Sequence, residues 1–393
     1  MMKEKIKELS RQYAPGFVEV RHYLHAHPEL SYREFETSKF VQGKLREIGI
    51  PFEIMAGTGV VGLIEGKNPG KRVIALRADM DALPIQEENE VPYKSVNKGV
   101  MHACGHDVHT SILLGAAKIL QDLKKNWEGT VKLIFQPGEE KNPGGASLLI
   151  KESVLQNPEP QAIFGLHVHP GLETGCLSFR EGVVMASADE IYITIRGKGG
   201  HAAAPHTTVD TILVSSHLVV ALQQIISRNR NPFSPSVLSI TSFQGGSTTN
   251  VIPSEVKLMG TFRAMDEAWR FRAHELIRNT AMGIVHSMGA EMDLHIDVGY
   301  PVVHNHEELT RRARIQAEEY MGKDYISETE MRMGSEDFGY YTRLIPGCFY
   351  RLGVMNVEKG IVSGVHTPTF DIDESAIEIG MGVMAWLGCS VQP

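Results

Sequence analysis

Ten consecutive residues, MHACGHDVHT (101–110), carry three histidines, one cysteine and one aspartate. Thiolate and imidazole ligate zinc and its first-row neighbours, so three chemistries are open: a structural zinc clip, a redox thiol among histidines, or part of a catalytic metal site. Cys104 and His106 would bind metal in either kind of metal site, so the stretch does not decide between them. The other metal-capable side chains are scattered along the chain. Asp79 and Asp81 lie in RADMDALP, Glu139 and Glu140 in QPGEE, His167 in GLHVHPG and His366 in GVHTPTF.

The elements around these residues decide whether they can meet. RVIALRA (72–78), VKLIF (131–135), AIFGLHV (162–168) and CFYRLGV (348–354) read as short buried strands. TSILLGAAKILQDLKK (110–125) has apolar residues at helical spacing, with Asp107 as its candidate N-cap. GGASLLIKESVL (144–155) and ESAIEIGMGVMAWLG (374–388) read as further helices. This alternation predicts an α/β fold, a mainly parallel sheet with helices on both faces. Ligands of such sheets bind beyond the carboxyl ends of the strands. Asp79 and Asp81 follow the first strand, Glu139 and Glu140 the second; His167 ends the third, and His366 comes shortly after the fourth. The predicted topology therefore gathers Cys104, His106, Glu140, His167 and His366 in one crevice.

Taken singly, each residue has a plainer explanation. Paired glutamates opening a helix are commonly solvated charges. A histidine at a strand end is more often a satisfied core group, and Cys-x-His is a weak motif. Their coincidence at several strand ends is what argues for metal. The chain has no CxxC, and the set runs from Cys104 to His366 with carboxylates included. That composition favours an open catalytic site able to take two metals over a closed structural one. Two ions about 3.5–4 Å apart would lower the pKa of a shared water from 15.7 toward roughly 7. One of the adjacent glutamates can ligate while the other serves as general base; spacing alone does not say which.

Between these halves the pattern changes. EIYITIRG (190–197) alternates apolar and polar residues, the signature of a half-exposed strand. A helix is expected over about 209–228, strands at 236–243 and 255–263, a helix at 266–288 and a strand at 290–298. The order β-α-β-β-α-β is ferredoxin-like. An α+β domain at 186–298 is therefore expected inside a discontinuous catalytic domain, 1–185 and 299–393, with hinges near 184–188 and 298–302.

Composition narrows the function classes. At 393 residues the chain exceeds what one core usually fills. With 39 Lys+Arg against 47 Asp+Glu, a net charge of −8 and no basic run, it has no footprint for nucleic acid or an anionic membrane. Four scattered cysteines (104, 176, 348, 389) do not form a disulfide framework and suit a reducing compartment. The first twenty residues read as a charged amphipathic helix without the apolar core of a signal peptide, and no run of 18 apolar residues occurs. The expected location is the cytoplasm.

HAHPELSYREFETS, LRADMDALP, HACGHDVHT, FQPGEE, GLHVHPG, GKGGHAAAPH, TTNVIP, GTFRAMD, GSEDFG and GVHTPTF together resemble the amidohydrolase branch of the aminoacylase/carboxypeptidase metallopeptidases, in order from about residue 16 to 390. That branch contains hippurate hydrolases, N-acyl-amino-acid amidohydrolases, N-acetyldiaminopimelate deacetylases and auxin-conjugate hydrolases. The resemblance implies a catalytic domain with two divalent metal ions (zinc, manganese, nickel or cobalt) and an inserted dimerisation or lid domain. It implies Cys104, His106, Glu140, His167 and His366 as metal ligands and Glu139 as general base. It also implies that His201 reaches the substrate, often in the partner subunit's site, and steadies the oxyanion. Asn250 and Arg263 match positions that hold the substrate carboxylate. The wider family has a ligating histidine at the position of Asp79 and a bridging aspartate where this chain has ACGHD. The ligand set therefore follows the Cys-containing branch, with Cys104, Glu140 or water left as the bridge. Asp81 is expected to orient a ligand, and His102, His109 and His169 to be structural or supporting. GKGGHAAAPH lacks the GxxxxGK[ST] spacing of a phosphate loop.

The implied reaction is hydrolysis of small N-acyl amino acids (hippurate-like, N-acetyl or similar) to a carboxylic acid and a free amino acid, by a homodimer or larger homo-oligomer. A metallo-carboxypeptidase or dipeptidase acting on short peptides would share the site. A member that binds a ligand without catalysis is the remoter alternative, and a structural-zinc or thiol-redox protein the remotest.

Overall fold

The computed structural model describes residues 2–392 and divides into two compact units. The first comprises residues up to 184 together with 304–330 and 337–392; the second comprises 185–303 and 331–336.

The first unit is built on an eight-stranded mixed sheet. Its centre is four adjacent parallel strands in the order Thr130–Gln136, Val73–Asp79, Ala162–Glu173, Gly347–Met355. Every residue of the first two is buried, as expected for strands covered by helices on both faces. The antiparallel pair Phe52–Met55 and Gly59–Glu65 extends one edge, and Leu177–Phe179 with Ile326–Glu328 extends the other. The strand expected at 162–168 continues to Glu173, because its far end still pairs in parallel with Met355. The helix expected at 144–155 is only Gly145–Lys151.

Helices His106–Asp122 and Ser375–Ser390 pack on the sheet and on each other, and helix Met2–Ala26 packs on both of them. Small residues permit the close approach of the first two. A Cβ at Gly115 would lie 2.6 Å from Met381 Sδ, and one at Gly380 would lie 2.4 Å from Ile112 Cδ1. Among the described residues no helix is long and apolar enough to cross a membrane.

The second unit runs strand Asp189–Arg196, helix Thr211–Gln224, strands Ser236–Gln244 and Glu255–Ala264, helix Glu267–Ser287 and strand Glu291–Val298. With these strands numbered 1 to 4, the antiparallel sheet has the order 4-1-3-2, which is the ferredoxin-like arrangement. Asp210 and Asp266 cap the two helices, accepting from Leu213 N–H at 3.0 Å and Trp269 N–H at 2.6 Å.

One buried ion cluster holds the start of this unit to its end. Asp189 accepts from Arg270 Nε at 2.9 Å and from Gly299 N–H at 3.2 Å, and lies 2.7 Å from His274 Nε2. Burial opposes ionisation of Asp189, but His274 and Arg270 outweigh it and hold the carboxyl below its ordinary range. A depressed carboxyl contributes stability that is present above the unfolded-state pKa, near 3.9, and is lost as pH falls through the folded value. Removing it by Asp189→Ala leaves Arg270 buried without its main partner and should cost about 3–5 kcal/mol, read as a lower urea midpoint. The difference from wild type should shrink on acidification below pH 4.

Candidate metal centre

The parallel strands bring the chemistry to one level. Asp79 pairs with Gln136 across the first two strands, Arg77 with Gly165 across the next, and Arg351 with His167 beyond. Glu139 and Glu140 follow three and four residues after Gln136. Cys104 and His106 sit where the chain enters helix His106–Asp122, with Gly105 between them at φ +82°. That left-handed turn lets both side chains reach one cluster. A Cβ on Gly105 would lie 2.6 Å from Val168 Cγ2. Gly105→Ala should therefore destabilise by roughly 1–3 kcal/mol through backbone strain alone, read as a lower melting temperature. His366 holds a left-handed φ of +62° without being glycine, and its N–H donates to Ala103 O at 2.7 Å. Strain of this kind is characteristic of functional positions.

Two groups of potential ligand atoms share a sulfur. Cys104, His106 and His167 form one set and Cys104, Glu140 and His366 the other; within each, the ligand atoms lie within 4.8 Å of one another. Cys104 Sγ is 3.5 Å from His167 Nε2 and 3.3 Å from His366 Nε2. Glu140 Oε1 is 3.3 Å from His366 Nε2 and 3.9 Å from His106 Nε2. The carboxylate of Glu139 belongs to a third group with His106 and Glu140.

The surroundings aim these atoms. His167 Nδ1–H donates to Val168 O at 2.7 Å, leaving the Nε2 lone pair facing the sulfur. His106 Nδ1 is 3.2 Å from Asp81 Oδ1, which turns Nε2 inward. Asp81 does more than orient that ring. It accepts from Glu139 N–H at 3.0 Å, Glu140 N–H at 2.9 Å and Ser31 Oγ at 2.6 Å, so one carboxylate fixes both the histidine and the glutamate turn. His109 Nε2 accepts from Val168 N–H at 2.9 Å, and Nδ1–H donates to Asp79 Oδ1 at 2.6 Å. With both nitrogens occupied, His109 is a support and not a ligand. Asp79 also accepts from Arg77 Nη1 at 2.6 Å, and Arg77 Nη2 reaches Asp337 at 2.8 Å. Arg77 and Asp337 lie inside the LRADMDALP and GSEDFG motifs, but nothing in the sequence assigns them this bracing role.

The electrostatics call for a cation. Buried His106 Nε2 and Glu140 Oε1 lack any hydrogen-bond partner of adequate geometry. Burial and then the carboxylates Glu140, Glu139 and Asp79 push the Cys104 thiol well above its ordinary range. Burial opposes protonation of His106, yet Asp79, Asp81 and Glu140 push it up to about 10. His167 is held well below the usual imidazole range, chiefly by burial. A divalent ion would reverse the first two effects, keeping the thiolate and displacing the proton from His106. The donor set of thiolate, imidazole and carboxylate suits zinc and its first-row neighbours, so the residues fit a metal pair.

Other expectations fall differently. Asp107 does not cap its helix: the N-cap is Gly105, and Asp107 lies in the first turn. Its carboxylate instead accepts from Arg21 Nε at 2.9 Å and lies 2.8 Å from His25 Nδ1. His201, Asn250 and Arg263 belong to the second unit. His201 ends the short strand Gly200–His201 and Asn250 stands just before its partner strand Val251–Ile252; both are exposed, and Ala202 N–H donates to Asn250 O at 3.0 Å. Arg263 is half-buried and donates to Ser335 Oγ at 2.8 Å.

Residues 75–387 match the profile of peptidase family M20/M25/M40. The chain belongs to that family. Membership makes it a metal-dependent amide hydrolase, with the family's α/β fold. Among curated relatives of this family, thermostable carboxypeptidase 2 of Saccharolobus solfataricus is 38% identical over 96% of this chain and 95% of its own. The N-acyl-L-amino acid amidohydrolase of Geobacillus stearothermophilus is 42% identical over 78% of this chain and 83% of its own. Among solved structures of family M20, the YXEP protein of Bacillus subtilis, described as a dinuclear metal-binding peptidase, is 34% identical over 96% of this chain and 98% of its own, with a TM-score of 0.83.

Proposed function

We propose that the protein hydrolyses the amide bond of small N-acyl amino acids, using two divalent ions held by Cys104, His106, Glu140, His167 and His366. The observation that carries the reading is the pair of ligand sets meeting at Cys104 with Glu139 beside them. When bound, the ions would polarise the amide carbonyl and acidify the attacking water. Glu139 takes a proton from that water as its oxygen attacks the carbonyl carbon, and returns it to the nitrogen as the C–N bond breaks. The products are a carboxylic acid and an amino acid, with one water consumed. Asp81 keeps the glutamate turn and His106 in register during these transfers. His201 is proposed to donate to the oxyanion, and Asn250 and Arg263 to hold the substrate carboxylate, for which a guanidinium fork is suited.

A carboxypeptidase reading shares every residue named above and is favoured by the likeness to the Saccharolobus protein. Release of free amine from hippurate, N-acetyl amino acids and dipeptides by the metal-loaded protein separates the two. We expect kcat/KM on the best N-acyl amino acid to exceed that on any dipeptide by tenfold or more. The reverse order would establish the peptidase reading.

The second unit is proposed as a dimerisation or lid domain in a cytoplasmic homodimer. Sedimentation should then give roughly twice the 43.5 kDa of one chain.

A further inference from the structure

Arg21, on helix Met2–Ala26, is completely buried, and its guanidinium touches three carboxylates from two segments. Nε donates to Asp107 Oδ2 at 2.9 Å, Nη2 to Asp371 Oδ1 at 2.7 Å and Nη1 to Glu374 Oε1 at 3.3 Å. Asp107 follows His106 directly, and Asp371 lies five residues beyond His366. One side chain thus spans the two segments that bring Cys104 and His106 on one side and His366 on the other. The surroundings reinforce it. His25 lies 2.8 Å from Asp107 and 3.1 Å from Glu87, and Tyr93 places its ring 4.5 Å under the guanidinium while its hydroxyl donates to Asp371 Oδ2 at 2.9 Å. Residues after Glu87 grip the His366 segment directly: Glu88 N–H donates to Pro368 O at 2.9 Å and Asn89 Nδ2 to Phe370 O at 3.0 Å.

A buried network of this size is poorly explained by stability. Desolvating an arginine and its carboxylates offsets most of their attraction, and apolar side chains could fill the space as well. What apolar packing cannot supply is a planar fork with fixed angles between its partners. Two ligand sets that share one sulfur need such a fixed spacing, because His366 must reach Cys104 and Glu140 together.

We propose that Arg21 is a positioning residue, clamping the Cys104/His106 segment to the His366 segment through Asp107 and Asp371 and so holding the second ligand set closed. The proposal rests on the metal-pair reading above. It predicts unequal effects on the two ions: loosening the clamp weakens the ion held with His366 and Glu140 and spares the one held with His106 and His167.

The test titrates the metal-free full-length protein with Zn²⁺ by calorimetry, in wild type, Asp371→Asn, Asp371→Glu, Tyr93→Phe and His366→Ala. Asp371 is partly exposed, so its neutralisation spares the fold better than loss of Arg21. Wild type should take up two equivalents and His366→Ala should lose one. Asp371→Asn should weaken one equivalent by about 10–100-fold, the usual effect of removing a supporting group behind a ligand, and leave the other within twofold. Asp371→Glu should recover part of the loss, and Tyr93→Phe should show a smaller loss in the same equivalent. Both affinities within twofold of wild type in Asp371→Asn, or equal weakening of both, would overturn the clamp while leaving the metal pair standing. Should Asp371→Asn fail to fold, an unchanged Tyr93→Phe would overturn it equally. A wild-type protein that does not take up two equivalents would remove the metal-pair reading itself.

Discussion

Glu139→Gln is expected to keep both metal equivalents and lower kcat by about 10²–10⁴-fold, the usual contribution of a positioned general base. The substitution preserves shape and the backbone N–H that donates to Asp81, so the turn around Glu140 is undisturbed. It replaces the carboxylate by a neutral amide that cannot take up the proton. KM should change little, because the carboxylate acts on water and on the leaving nitrogen and not on the bound substrate. Metal content by mass spectrometry, measured beside steady-state rates, distinguishes this from a damaged site. A variant within tenfold of wild type would assign the proton transfer elsewhere.

Cys104→Ala is the second large effect, and its signature differs from that of any other ligand. The sulfur belongs to both ligand sets, whereas His167 belongs to one and His366 to the other. Loss of Cys104 should therefore weaken both ions, each by more than about 100-fold, beyond what removal of a supporting group costs. His167→Ala and His366→Ala should each weaken mainly one. Activity at limiting metal should vanish in Cys104→Ala and return only partly at millimolar metal. The fold should persist, because Cys104 lies at the helix entrance and the hydrophobic core around Ile112, Leu113 and Leu120 does not depend on it. Selective loss of one ion in Cys104→Ala would contradict the shared position of the sulfur.

Much of this arrangement is legible in sequence because it depends on short-range patterns. All-buried parallel strands announce themselves as mostly apolar runs; Asp79 ends one of them, and Glu139 and Glu140 stand in the loop after the other. The alternation in Asp189–Arg196 marks the ferredoxin-like unit just as directly. What sequence conceals is long-range polar bracing. Asp107 at a helix entrance reads as a cap, and only the fold shows Arg21 and His25 arriving from 86 and 82 positions away to claim it. Arg77 and Asp337 are likewise separated by 260 positions. The continuation of the strand at 162 through Pro170 and Gly171 to Glu173 is also invisible, since both residues usually interrupt strands. The acyl and amino-acid specificities have no motif because pocket walls are set by shape, not by residue type at fixed spacing.

Dependence of amide hydrolysis on a metal pair assembled on Cys104 is checked by titrating the metal-free protein with Zn²⁺ or Mn²⁺ while following hydrolysis of an N-acetyl amino acid. Activity should be absent at the start, rise with added metal and reach its plateau at two equivalents per chain. Full activity in excess chelator, or two bound equivalents with no hydrolysis of any N-acyl amino acid or dipeptide, would contradict it.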